Sequence, residues 1–409
     1  MSLRRVVITG VGVASPIGNS LDEVSLALRE GRHGIATQPK WNAYGNLATR
    51  LAAPVRDLAF STYERRKIRT MGRVALLSVH ASDQAVADAR LTPEELASGN
   101  VGLAYGSTHG SSSELEGFCR SLFRNESLKG LPSTSYPKFM SHTCAANLAL
   151  YYGITGRIIT TCSACVSSSQ AIGYGYEAVK YGFQDTMICG GAEELHFTHA
   201  GVFDIMYATS STYNDHPELS PRPFDVRRDG LVIGEGAGTV VLESFDRAAA
   251  RGAHVYAEVI GYGTNCDGRH MTNPSAEGMA GAIRLCLKDA ATSTDAIDYV
   301  NAHGTATEFG DIAESAASFQ VLGDRVPFSS TKGYTGHTLG ACGSIEAAFC
   351  LAMMRDGFLA ANRNLDEVDP RCAPLNYLRG GPREARPRTI MTNNFAFGGI
   401  NTSLLLRAV

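Results

Sequence analysis

The chain has 409 residues, 44% of them apolar, and carries 37 Lys and Arg against 40 Asp and Glu for a net charge of −3. This is enough for a large core in two packed domains or a fused pair, and it lacks the strongly basic balance of a nucleic-acid binder. No run of about 18 apolar residues offers a membrane span, and MSLRRVVITGVG leads into a strand without a secretory h-region, so the expected compartment is the cytoplasm, with no membrane partner.

The ten cysteines are scattered rather than dense. Most are expected to be reduced, buried and small, and with a single CxxC a four-cysteine zinc site would need two isolated ligands, so no metal is expected.

In chain order, RVVITGVG (5–12) reads as a strand and 21–30 as a helix. The run RRKIRTMGR places Arg65, Arg66, Lys67, Arg69 and Arg73 together, either a solvated helix face or a dock for an acidic partner. Further β-branched runs at 100–107, 157–162 and 186–192 alternate with helical patterns, which is an α/β rhythm. The Pro-, Asp- and Gly-rich stretch 211–244 reads as an ordered surface loop that returns to a strand at 239–243. VYAEVIGYG (255–263) then repeats the N-terminal pattern of a strand running into glycines. GRIITTCSACVSSSQ (156–170) and PRTIMTNNFAFGGIN (387–401) also echo one another, as two halves built on one template would.

The chemistry centres on TTCSACVSSSQAIG (161–174), where Cys162 and Cys165 are three apart. A redox pair, half a metal site, or one nucleophile beside an idle thiol all fit that spacing. Ile172, Tyr176 and Val179 follow at helical spacing with Gly182 as a stop, so Cys165 lies between a strand and a helix start. Unpaired backbone N–H groups and the helix dipole there favour a thiolate and predict a lowered thiol pKa. Ser163, Ala164 and Ser167 leave room beside the sulfur, and Cys162, back on the strand, reads as packing. NAHGTATEFGD (301–311) and STKGYTGHTLGACGSIEAA (330–348) each set a histidine, His303 and His337, in a small-residue loop after a strand-like run. Lys332 adds a cation, Asp311 and Glu314 are placed to offset it or orient the imidazoles, and NNFAFGGIN (393–401) offers backbone N–H donors suited to an oxyanion.

SAC, AHGTAT, GD, TKGYTGHTLGACG and NNFAFGGIN, with ITGVGVASPIG, GGAEE and RPFDVRRDG, occur in one order over nearly the whole chain. In this the sequence resembles the β-ketoacyl-acyl carrier protein synthases of the elongating branch. The resemblance implies an α/β, thiolase-like five-layer α-β-α-β-α fold of two similar halves, 1–250 with the nucleophile and 251–409 with both histidines. It implies Cys165 as the acylated nucleophile, His303 and His337 as catalytic histidines, and Lys332 as the family lysine supported by Asp311 and Glu314. It further implies that Thr305 and Thr307 hold the pantetheine arm, that Phe397 is the gate and shares the oxyanion hole with Cys165, and that Arg66 and Arg69, with Arg124 and Lys129 adding to that surface, dock acyl carrier protein. No resident cofactor is implied, because phosphopantetheine arrives on the carrier. The implied assembly is a homodimer, or a heterodimer with a chain-length-factor-like subunit.

Two departures stand out. HGTAT places Ala306 where the family has Ser, and His109 in YGSTHGSSSE falls where an aliphatic residue would line the acyl tunnel. A polar side chain there predicts an unsaturated, aromatic or polar acyl chain, as in aryl-polyene or type II polyketide systems, against ordinary fatty acid elongation.

Overall fold

The computed structural model describes residues 3–409. The strands of the first half are β1 (Val6–Ala14), β2 (Val101–Gly106), β3 (Ile158–Thr161), β4 (Thr186–Glu193) and β5 (Gly236–Ser244). Those of the second are β6 (Ala257–Cys266), β7 (Tyr299–Asn301), β8 (Pro327–Ser329), the edge strand β9 (Asn376–Tyr377), β10 (Thr389–Phe395) and β11 (Ile400–Arg407).

Outward from the middle, the first half runs β1-β5-β4-β2-β3 and the second β6-β11-β10-β7-β8. In each, the first two pairings are antiparallel and the next two parallel. The halves join where β1 pairs with β6 through Val6↔Val259, Val7↔Glu258 and Ile8↔Ala257, so eleven strands share one hydrogen-bonded ladder.

This order equates β1 with β6, as the glycine-terminated strands suggest. It also corrects the second echo. The counterpart of β3, which precedes Cys165, is β8, which precedes Lys332; β10 matches β4 instead. Similar strand-and-turn composition is not enough to assign equivalence, because the pairing order decides it.

The helices used below are α1 (Leu21–Glu30), α2 (Arg65–Ile68), α3 (Arg73–Asp88), α4 (Ser112–Asn125), α5 (Thr143–Tyr152), α6 (Ser167–Lys180), α7 (Phe197–Ile205), α8 (Ala276–Asp289), α9 (Glu308–Leu322) and α10 (Cys342–Asp356). Local chemistry sets their ends: Ser20 accepts from the Glu23 N–H at the start of α1, and Gly31 closes it in the left-handed region at φ 70°. One outer layer is α3 packed on β1, β5 and β4; the other is α8 on β6 and β11, backed by α9. Between them α6 and α10 pack on each other and on strands of both halves, giving the layers α-β-α-β-α.

The middle layer is buried on all sides. Every residue of α10 from Cys342 to Met353 is buried, as are Ala171, Ile172, Tyr176 and Val179 of α6. Close approach matters where α10 meets α6. A Cβ on Gly343 would lie 2.7 Å from the Ser169 Cβ and 2.8 Å from its backbone nitrogen.

Two surface expectations change. The basic run does not form one stripe, since α2 ends at Ile68 and Arg73 opens α3, its guanidinium bound to Glu235 at 2.7 Å. Arg66 and Arg69 remain exposed. The loop within 211–244 dives inward at 220–225, because Arg222 and Asp225 form a buried ion pair at 3.1 Å that ties it to the second half through Asp366.

Candidate active site

The site lies at the C-terminal ends of the parallel strands of both halves, where open α/β sheets present their loops. After β3, the chain turns through Ala164 at φ 48° into the 3-10 segment Ala164–Val166 and then α6, which puts Cys165 at the helix entrance. Ser167 fastens this turn, donating to the Ala164 carbonyl at 2.7 Å and accepting from the Ser163 N–H at 2.9 Å. Ser167 therefore ties the turn, and a cavity still reaches Cys165 beside it.

Equivalent β8 delivers Lys332 and His337 ahead of α10, β7 delivers His303, and β10 ends in the turn carrying Phe397. His337 Nε2 is 3.0 Å from Cys165 Sγ. The His303 and His337 rings stand 5.1 Å apart at 89°. Lys332 Nζ is 3.3 Å from His303 Nδ1, so the lysine donates there and His303 carries its proton on Nε2. His337 Nδ1 is buried without a partner, and a bare lone pair is tolerated better there than an N–H, so His337 also presents Nε2–H.

Burial pushes the Cys165 thiol up to about 12, against the pull of Lys332 and a backbone N–H. This reverses the direction expected from the helix dipole, because the residue is only 6% exposed and desolvation of a thiolate outweighs the donors around it. Burial, reinforced by the Lys332 charge, holds both imidazoles well below the usual histidine range, so both are neutral.

The acidic residues divide differently from expectation. Lys332 pairs with Glu346 of α10, whose other oxygen accepts from Asn394 Nδ2 at 2.7 Å. Burial is the largest influence and opposes the lysine charge, but the surrounding groups, Glu346 foremost with Cys342 and Glu314, together keep Lys332 above its ordinary value. Glu314 instead accepts the backbone N–H groups of His303 and Gly304 at 2.7 and 2.6 Å. Asp311 accepts those of Phe224 and Ala306 at 2.6 and 3.1 Å and faces Arg228 at 3.6 Å. Both carboxylates thus shape the loop that aims His303 rather than support Lys332 directly. Ala306 has φ 65°, a conformation that its bond to Asp311 maintains.

Glu346 and Asn394 were not singled out in the sequence. A lone carboxylate in the small and apolar run CGSIEAAFC was the available signal.

A cavity of about 880 Å³ opens over Cys165, His303 and His337 and is lined by Thr305, Thr307 and Phe397. The two threonine hydroxyls are 2.9 Å apart. Phe397 rests on Phe203 of α7 at 5.4 Å. The Ala396 and Gly398 N–H groups donate to the Ile400 and Met271 carbonyls, leaving the intervening Phe397 N–H without a carbonyl partner among the described residues. Lys332 and Asp311 lie behind the lining, and Arg66, Arg69 and His109 do not line this cavity.

Cys162 is not strand packing. It falls just past β3, is exposed, and donates its S–H to the Thr108 carbonyl at 3.2 Å. Sγ of Cys165 and the nearest nitrogens of His303 and His337 lie within 4.8 Å of one another, but the ammonium beside His303 opposes a dication there.

A buried thiol, two neutral imidazoles and free backbone donors in one cleft suit thioester chemistry. Residues 3–248 match the β-ketoacyl synthase N-terminal domain and 256–366 its C-terminal domain. The chain belongs to the β-ketoacyl synthase family. The synthase is 40% identical to 3-oxoacyl-[acyl-carrier-protein] synthase 1 of Escherichia coli, over 99% of each chain. A β-ketoacyl synthase structure from Burkholderia phymatum superposes with a TM-score of 0.96 at 50% identity, covering 99% of this chain and 100% of that one. The ishigamide ketosynthase/chain length factor structure superposes at 0.92 with 32% identity over the full length of both chains. The synthase is accordingly an acyltransferase with the thiolase-like fold. Among its described residues, no helix is long and apolar enough to cross a membrane.

Proposed function

We propose that the enzyme holds an acyl group as a thioester on Cys165 and condenses it with malonyl-acyl carrier protein, releasing carbon dioxide and 3-oxoacyl-acyl carrier protein. The 3.0 Å contact between Cys165 Sγ and His337 Nε2, with His303 5.1 Å from His337, carries this reading. Thioester exchange moves one proton from the Cys165 thiol to the departing pantetheine sulfur, so it needs no net acid or base. The backbone N–H groups of Cys165 and Phe397 hold the tetrahedral oxyanion.

Malonyl thioester then enters past Thr305 and Thr307, which bond the pantetheine arm. Its C–C bond breaks, carbon dioxide leaves, and the electron pair passes to an enolate whose oxygen accepts from Nε2–H of His303 and His337. The enolate carbon bonds to the acyl carbonyl, the C–S bond to Cys165 breaks, and one solvent proton restores the thiol. No resident cofactor or metal takes part. Asp311 and Glu314 keep the His303 loop in place, and Phe397 moves with Phe203 to admit the chain.

Acidic carrier protein docks on the exposed cations of α2, Arg66 and Arg69, with Arg124 and Lys129 adding to that surface. A second subunit, identical or chain-length-factor-like, pairs along β3, an edge strand with Ile158 40% exposed, near Leu150 of α5, which is 80% exposed. We place the division between the halves at 250/251, after the last strand of the first.

Fatty acid elongation is the reading supported by the 40% identical relative. Elongation of a polyene or type II polyketide chain is the second, favoured by His109 and by likeness, at 29% identity and a TM-score of 0.89, to a ketosynthase solved with its type II PKS acyl-carrier protein. Both predict that purified enzyme, acyl thioester and malonyl-acyl carrier protein yield a 3-oxoacyl product by mass spectrometry, with Cys165 transiently heavier by the acyl mass. Hydrolysis of the acyl thioester without carbon–carbon bond formation would reject both.

A further inference from the structure

A second cavity, of about 770 Å³, shares no lining residue with the one over Cys165, and the mechanism does not use it. It lies beyond the C-terminal end of β1. Its walls are the segment 15–19 leading to α1, His33 after that helix, residues 56–58 ahead of α2, and His80 of α3.

These walls are built in advance. Ser15 Oγ donates to the Gly18 carbonyl at 2.9 Å, the Gln84 side chain donates to the Asn19 carbonyl at 2.9 Å, and Asn19 Nδ2 joins two walls by donating to the Arg56 carbonyl at 2.8 Å. Gly34, next to His33, donates its N–H to the Tyr334 carbonyl at 2.9 Å. Tyr334 lies between Lys332 and His337, so one wall is bonded directly to the backbone that carries both groups.

The lining residues keep polar atoms unused. Asn19 Oδ1, His33 Nδ1 and His80 Nε2 are buried without a partner among the described residues. Arg32 is bound to Glu30 at 2.5 Å and one oxygen of Glu23 accepts from the Asn19 N–H at 2.7 Å, whereas Arg56 and Asp57 form no ion pair among the described residues. Burial first, then Arg363, with Arg56 adding and Glu218 opposing, holds His33 down to about 4, and burial lowers His80 as well. Both rings are therefore neutral, with one donor and one acceptor nitrogen each.

These groups restrict the ligand. A bare oxyanion would engage Arg32 and Arg56 but leave Asn19 Oδ1, which only accepts, unpaired. An apolar molecule would strand all three buried atoms. No three of the lining side chains bring metal-binding atoms within 4.8 Å of one another among the described residues, and the volume suits a whole small molecule rather than an ion. Hydroxyl groups both donate and accept, so several on one molecule serve Asn19, the imidazoles, Glu23 and Asp57 together, while an attached phosphate or carboxylate meets the guanidiniums. We propose that this cavity is a regulatory site for a small polyhydroxylated anion, of the sugar-phosphate or sugar-acid class, held by Asn19, His33, Arg56 and His80. Its occupancy fixes His33 and Gly34, and through the Tyr334 carbonyl steadies the turn from which Lys332 reaches His303 and His337 reaches Cys165. A steadier turn keeps both Nε2–H groups trained on one oxygen, so the ligand activates. The regulatory half rests on the condensing role read for that site; the binding itself does not.

Calorimetric titration of the purified enzyme with glucose 6-phosphate, gluconate, glucose and inorganic phosphate tests the site. One of the two hydroxylated anions should bind at least about tenfold more tightly than either glucose or phosphate, and the tighter of them identifies the oxyanion. Arg56→Ser, at an exposed position where loss of folding is not at issue, should remove most of the advantage over glucose, and His33→Leu most of the advantage over phosphate. No binding of either hydroxylated anion, equal affinity for the fragments, or affinities unchanged in both variants would overturn the proposal. So would one equivalent of zinc held by the wild type and lost in His33→Leu. At saturation, decarboxylation of malonyl-acyl carrier protein should rise at least about fivefold, and the rise should vanish in Arg56→Ser at the same ligand concentration. An unchanged or lower rate in the wild type would overturn the regulatory role. If the enzyme decarboxylates nothing even without ligand, the condensing reading itself falls, a result that the calorimetry does not share.

Discussion

Lys332 Nζ meets His303 Nδ1 at 3.3 Å, and through that contact one buried cation sets the tautomer of the imidazole and adds to the burial that keeps it neutral. The lysine's own counter-ion, Glu346, is equally buried and is contributed by the helix that packs against α6, so the pair couples the histidine to the middle layer of the fold.

The first prediction concerns pH. Burial and the Lys332 charge both hold His303 below its ordinary pKa of 6.5, so it stays neutral as pH falls through the range in which a free histidine gains a proton. Lys332→Met combined with Glu346→Gln removes the charge without stranding a buried carboxylate. His303 should then titrate at higher pH, moving the acid limb of malonyl decarboxylation upward, and the rate at neutral pH should fall about 10–100-fold as the Nε2–H tautomer is no longer enforced. A limb that stays where the wild type has it would refute the role given to Lys332.

The two nearby cysteines should separate cleanly. Cys165→Ser replaces the sulfur that His337 faces at 3.0 Å and is expected to abolish condensation while sparing decarboxylation, which needs only the histidines. Cys162→Ser keeps a donor for the Thr108 carbonyl at an exposed position and should retain activity within about twofold. Parallel measurement of carbon dioxide release and 3-oxoacyl product distinguishes the two steps. Loss of product in Cys162→Ser would contradict the assignment.

What was legible in the sequence follows from locality. Cys165, His303 and His337 could be found because each lies in a small-residue loop directly after a strand, and chain order alone reveals that setting. Partners set by tertiary packing could not. Arg73 reads as one more cation of a basic run until its partner Glu235, 162 residues away, is in place. Asp311 and Glu314 look like counter-ions for a lysine because sequence does not show whether a carboxylate faces an ammonium or a row of backbone N–H groups. The α/β rhythm was readable strand by strand, but the equivalence of β3 with β8 depends on pairing order, to which the composition of the turns is blind. The direction of the Cys165 shift was missed for a related reason: a helix entrance is a local feature, while burial of the sulfur is made by the whole cleft.

Stability should be sensitive where the middle helices touch. Gly343→Val adds a branched side chain whose Cβ alone would lie 2.7 Å from Asn394 Oδ1 and 2.8 Å from the Ser169 nitrogen. Backbone cannot yield as a flexible side chain can, so we expect a loss of about 1–3 kcal/mol or more in denaturant unfolding. Decarboxylation should fall too, because Asn394 is bonded to Glu346. Wild-type unfolding with normal activity would show that α6 and α10 have slack at this point.

The last prediction separates docking from chemistry. Arg66 is held only loosely, 3.5 Å from Glu64 with 84% of its side chain exposed, and neither it nor Arg69 lines the cavity. Exposed cations of this kind influence encounter with a charged partner far more than they influence fold stability. Arg66→Glu with Arg69→Glu should therefore raise KM for acyl carrier protein substrates severalfold or more and flatten its salt dependence, with kcat little changed. The KM for an acyl-pantetheine analogue, which carries no acidic protein surface, should stay as in the wild type. If both substrates weaken alike, the substitutions act through the fold or the cavity, and the carrier must be held by another surface. The exposed apolar residues at the cavity mouth, Tyr207, Met271 and Phe309, would then be the next surface to vary.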